Sequence, residues 1–174
     1  MTLQDQHIPY EHADALIRLA ALPSAVSTGR RFIQAVLQLR DVPEFEDDAL
    51  LCTSEMVTNA VNATGHLDQF VVPLPGAVEG DVVLCAAITE YRLRIEVWDI
   101  SLDLPAPRSA EDDEEDGRGL ALIDSVCDRW GSDLLAGSQA RGPCKVTWCE
   151  WDRGAPKHEP TTLPGELNVQ AIHQ

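Results

Sequence analysis

The stretch LLCTSEMVTNAVNAT, residues 50–64, has the 3.6-residue period of an amphipathic helix and organises the reading of the rest of the chain. At 100° per residue, Glu55, Asn59 and Asn62 fall within about 60° of one another. Leu50, Met56, Val57, Ala60 and Val61 centre on the opposite side. One carboxylate and two carboxamides on a single stripe present the oxygen donors that a hard, hydrated cation such as Mg2+ accepts. Taken alone, the same stripe also reads as the solvent-facing side of an ordinary amphipathic helix.

The helix is expected to run from about Glu46 to Ala63, with acids in the first turn where the helix dipole favours them and Gly65 as its stop signal. Before it, Asp41 to Phe45 contains Pro43 and reads as a turn. A further helix is expected from an N-cap at Ser24 to about Leu39, burying Val26, Phe32, Ile33, Val36 and Leu37. Ala13 to Leu22 is apolar and ends at Pro23, which fits a strand or a short helix.

Downstream, residues 66–81 hold two prolines and two glycines and read as a loop, with a short extended piece at 70–72. Val82 to Thr89 and Leu93 to Ile100 then read as a hairpin. In the second run Leu93, Ile95 and Val97 face one way and Arg94, Glu96 and Trp98 the other. Residues 101–116 carry Pro105, Pro107 and the acidic tract EDDEED, so an irregular segment is expected. A helix from Leu120 to about Arg129 and strands near 132–136 and 145–151 complete the core. Helices first and strands afterwards predict an α+β fold, a two-layer α/β sandwich whose mixed, mostly antiparallel sheet carries helices on one face. The expected organisation is an N-terminal arm (1–12), one domain (13–152) and a polar tail (153–174).

Composition narrows the function. A net charge of −16 repels phosphate backbones and argues against direct nucleic-acid binding. It suits a basic protein partner and equally suits plain solubility. No apolar run reaches the ~20 residues of a membrane span, and the N-terminus lacks a secretory pattern, so a cytoplasmic location is expected. The five cysteines form no CxxC pair and read as reduced thiols.

Two more features carry chemistry. Asp99 stands at the end of an apolar strand, where its carboxylate can accept a hydrogen bond from an exocyclic amine or can simply initiate a turn. Gly117-Arg118-Gly119 opens a helix, and glycines there let backbone N–H groups approach a phosphate at the positive helix end. A flexible loop exit has the same appearance. No GxxxxGK[ST] loop occurs.

In order, these pieces resemble one family. SEMVTNAV (54–61) resembles the N-box of the GHKL ATPases, the group that includes sensor histidine kinases, DNA gyrase and bacterial anti-sigma kinases. VWDIS (97–101) resembles the first glycine box and GRGLALID (117–124) the second. CDRWG (127–131) and KVTWCEW (145–151) look like the short stand-alone members of actinobacteria. The resemblance implies ATP and Mg2+ as ligands, with Asn59 as the metal ligand and Asn62 beside it. It implies Glu55 as general base and Asp99 as acceptor of the adenine amine, with Gly117, Arg118 and Gly119 around the phosphates. The glycine usual two places after that aspartate is Ser101 here, and the threonine of the last strand falls at Val146, with Thr147 one place off. The activity implied is that of an anti-sigma serine/threonine kinase that sequesters a sigma factor and phosphorylates an anti-anti-sigma (STAS) partner. Its alternative is a protein-binding regulator without chemistry. Relatives of this size commonly pair, so a homodimer is a further expectation of the resemblance.

Overall fold

A computed structural model describes residues 13–65, 81–104, 118–135 and 143–154. The order of elements is β1 (Ala15–Ala20), α1 (Ser24–Leu39), a 3-10 turn (Pro43–Phe45), α2 (Glu46–Gly65), β2 (Asp81–Ile88), β3 (Arg92–Asp99), α3 (Arg118–Val126), β4 (Arg129–Leu135) and β5 (Cys144–Asp152). The expected arm at 1–12, the loop with its extended piece at 70–72, the acidic tract, Gly117 and the tail from 155 lie outside the described residues. Among the described residues, no helix is long and apolar enough to cross a membrane.

The first helix starts one residue earlier in its role than the sequence suggests. Pro23 is the capping position and Ser24 already belongs to the helix, because the proline ring pre-sets a helical φ. The Ser24 carbonyl accepts from the hydroxyls of Ser27 and Thr28, each at 3.0 Å. At the other end Asp41 adopts a left-handed φ of 53°. The Val42 N–H then reaches back to the Leu37 carbonyl at 3.1 Å, and the Asp41 N–H to Gln38 at 3.3 Å. This is a Schellman closure, and its apolar pair, Leu37 and Val42, is fully buried. The expected stripe on α1 is buried at Ile33, Val36 and Leu37, whereas Val26 and Phe32 are half-buried and Ala25 and Gly29 take the deeper places.

The sheet has the strand order β1-β2-β3-β5-β4. Every neighbouring pair is antiparallel, so the mixed sheet of the sequence reading narrows to an antiparallel one among the described strands. The helices cover one face. There Ile33, Leu37, Met56, Val57, Leu84, Leu93, Ile95, Val97 and Ile123 form the main core. The expected alternation of β3 holds: Trp98 points to the other face and joins Val83, Cys85, Cys144 and Val146 in a smaller buried cluster. Both faces of the central strands therefore contribute buried apolar surface, worth on the order of 25 cal/mol per Å2 removed from water.

Candidate functional site

Helix α2 packs against α1, α3 and β3 and so runs across the middle of the molecule. Met56, Val57, Ala60 and Val61 are buried on its inner side. Glu55 and Asn59 are half-buried, and Asn62 is exposed. The hydroxyls of Thr53 and Ser54 bond back to the carbonyls of Ala49 and Leu50, each at 2.7 Å, and leave the polar stripe to the longer side chains. Arg30 fixes the helix from α1 by donating to the Leu50 carbonyl at 3.1 Å and to the Ser54 hydroxyl at 2.7 Å.

Helix α3 meets α2 at its own beginning. Leu120 and Ile123, one turn apart, are buried and anchor it to the core. Gly119 is buried against Glu55: a β-carbon at 119 would stand 2.5 Å from Glu55 Oε2. Only glycine leaves room for the carboxylate there. The same carboxylate thus lies at the end of α3 where unsatisfied N–H groups and the positive dipole end gather. The chain brings Glu55 and Gly119 together. Of Arg118 the backbone is described, as the first helical residue.

Asp99 closes β3 with its side chain only 1% exposed. Oδ1 accepts from the Ser101 N–H at 2.8 Å, which bends the chain out of the strand. Oδ2 lies 3.4 Å from Nζ of Lys145, the residue directly opposite on β5. Burial pushes the Asp99 carboxyl up to about 6, while Lys145 and the Ser101 N–H pull it back. The two readings of this aspartate coincide: it initiates a turn through one oxygen and keeps acceptor capacity on both. Among the described residues its partners are Ser101 and Lys145, not the polar stripe of α2.

Lys145 was not singled out in the sequence. It is a lone cation inside the run KVTWCEW, and only the cross-strand register places it beside Asp99. The register also sets the faces of Val146 and Thr147. Val146 belongs to the outer cluster with its opposite number Trp98. Thr147 stands opposite Val97, on the helix-covered face, because neighbours along a strand alternate sides. Its hydroxyl is 2.6 Å from that of Ser132 on β4.

Comparison with known families gives one result: residues 19–138 match the family model of the histidine kinase-like ATPase domain. The match takes in α1, α2, β2, β3, α3 and β4, and hence every residue of the candidate site except those contributed by β5. Comparison with curated proteins finds no match.

Proposed function

Because the chain belongs to the histidine kinase-like ATPase family, we propose that it is an ATP-binding anti-sigma regulatory factor with serine/threonine kinase activity. In this reading it sequesters a sigma factor and phosphorylates an anti-anti-sigma (STAS) partner. The observation that carries the kinase reading is the seat of Glu55. In support of it, the carboxylate lies against Gly119 in the first turn of α3, on the side where the glycines would meet phosphate.

The residues present suit the ligands. Asp99 offers a buried acceptor for the amine of adenine, and Gly119 offers backbone without a β-carbon at a helix start. The Asn59 carboxamide would hold Mg2+, with water and phosphate oxygens supplying the remaining ligands, and Asn62 lies on the same stripe. Mg2+, when bound, neutralises charge developing on the phosphate oxygens. The family resemblance assigns Gly117 and Arg118 to the phosphates, Arg118 to the γ-phosphate. Glu55 accepts the proton of the substrate hydroxyl as its oxygen attacks the γ-phosphorus. The bond to the β–γ bridging oxygen breaks and ADP leaves.

The test is radiolabel transfer from γ-labelled ATP to a serine of a STAS protein, with Glu55→Ala as control. Transfer by the parent protein and a loss of about 100-fold or more in the variant are expected. Equal transfer by both proteins removes Glu55 from the mechanism. A second reading is an ATP-dependent regulator that grips its partner without chemistry. Calorimetric binding of ATP and Mg2+ without any transfer would select it.

A further inference from the structure

Around the end of β3 four residues close a ring of polar contacts. The Ser101 N–H donates to Asp99 Oδ1 at 2.8 Å. The Asp103 N–H donates to Ser101 Oγ at 3.2 Å. Lys145 Nζ donates to the Asp103 carbonyl at 3.0 Å and stands 3.4 Å from Asp99 Oδ2, which completes the circuit. Asp99, Ser101 and Lys145 are all buried, whereas Asp103 is exposed and takes part through its backbone. A buried ammonium has three donors to place, and two of its acceptors are the Asp103 carbonyl and Asp99 Oδ2.

We propose that Lys145 is a positioning residue for base recognition: anchored on the Asp103 carbonyl, it keeps the Asp99 carboxylate ionised and aimed for an exocyclic amine. The proposal rests on the reading of Asp99 as the acceptor of the adenine amine. Geometry makes it workable. A carboxylate has about four lone-pair sites, and Ser101 and Lys145 take one each, leaving capacity for a third donor. The long Lys145 contact is an ion pair more than a tight hydrogen bond, so it need not be broken for the amine to enter.

The charge state matters because an ionised acceptor makes hydrogen bonds roughly twice as strong as a neutral one. A protonated carboxyl also turns one oxygen into a donor, which opposes an incoming N–H. Burial acts against the carboxylate. Lys145 from β5 and the Ser101 N–H from the following segment act for it. Helix α2, which also packs on β3, carries Glu55 in its middle, but Glu55 is seated against Gly119. The serine that replaces the usual glycine at 101 is part of the same device, since its hydroxyl links Asp99's turn to the residue that anchors the lysine.

The experiment is the affinity for a ribose-labelled fluorescent ATP, whose base is unmodified, measured from pH 5 to 8.5. The proteins are the parent chain and the variants Lys145→Met, Lys145→Gln, Lys145→Arg and Asp99→Asn, each checked for fold by circular dichroism. Asp99→Asn, which lacks the titrating carboxyl, supplies the pH dependence of the nucleotide itself. Relative to it, parent binding weakens as pH falls through about 6. In Lys145→Met and Lys145→Gln the midpoint moves up by about one unit, so affinity drops about twofold at pH 7 and nearly tenfold at pH 5. Lys145→Arg restores the parent midpoint. The glutamine variant keeps a donor for Asp103 without the charge, so it tests the idea even if the methionine variant fails to fold. A folded Lys145→Gln with the parent midpoint, or with tighter binding, overturns the proposal. Full affinity in Asp99→Asn overturns instead the reading on which it rests.

Discussion

Gly119 and Glu55 form a steric pair across the α2–α3 contact: a β-carbon on the glycine would lie 2.5 Å from Oε2 and 3.5 Å from Cδ of the glutamate. The end of the glutamate side chain occupies the space that a β-carbon at 119 would take.

Gly119→Ala therefore separates fold from chemistry. The atom it strikes is the far end of a flexible side chain, so the carboxylate swings aside and stability changes by less than about 1 kcal/mol. Serine phosphorylation falls by about 100-fold, the usual scale for losing a placed base. Unchanged phosphorylation would show that the seat of Glu55 is irrelevant to transfer.

On the reading of Asp99 as the acceptor of the adenine amine, this residue governs which base is accepted. Inosine triphosphate lacks the exocyclic amine, so the parent protein binds it at least tenfold more weakly than ATP. Asp99→Asn weakens ATP by a similar factor and leaves the two nucleotides nearly equal. Competition titrations read both ratios, and an undiminished preference for ATP in the variant would move base recognition elsewhere.

On the outer face, Gly131 of β4 lies under the indole of Trp148, and a β-carbon there would come within 2.7 Å of the ring. The ring cannot easily retreat. Its Nε1 donates to Asp133 at 2.9 Å, and the Arg94 guanidinium lies 4.3 Å over it. Gly131→Ala is expected to cost about 1–3 kcal/mol in urea unfolding and to alter tryptophan emission.

Glu150 gathers three guanidinium groups: Arg94 at 2.6 Å and Arg92 and Arg129 at 3.2 Å each. Burial pushes its carboxyl up, but the hydrogen bonds from Arg94 and Arg129 outweigh that and hold it below the ordinary 4.5. A carboxyl lowered in the folded state stabilises above its unfolded value, and the gain is lost as pH falls through the folded one. Glu150→Gln is expected to cost about 2 kcal/mol at pH 7, moderated because the arginines are partly exposed. The gap between parent and variant narrows below about pH 4. Urea titrations at the two pH values measure it.

Most elements were legible from local signals. The periodicity of α2, the alternation of β3 and the proline at 43 each spoke for themselves, and the ends observed lie within a few residues of those expected. Pro23 taking the capping place from Ser24 is a matter of one residue's φ. What the sequence could not give was set by pairing across long distances. Whether Val146 or Thr147 faces the helices depends on the β3–β5 register, and a slip of one residue would reverse the answer. Lys145 looked like an isolated cation for the same reason. The pressure of Gly119 on Glu55 joins residues in different helices, which no periodicity within one helix records.

The strand order has a consequence for how the protein is made. β5 lies between β3 and β4, yet it is the last of the described strands in the chain. During synthesis the N-box helix and both glycine boxes leave the ribosome first, while β3 still has an open edge and β4 has no partner. Asp99 meets its lysine only when residues 144–152 arrive and insert. A chain stopped before residue 144 would leave β3 with an open edge and β4 without its described partner.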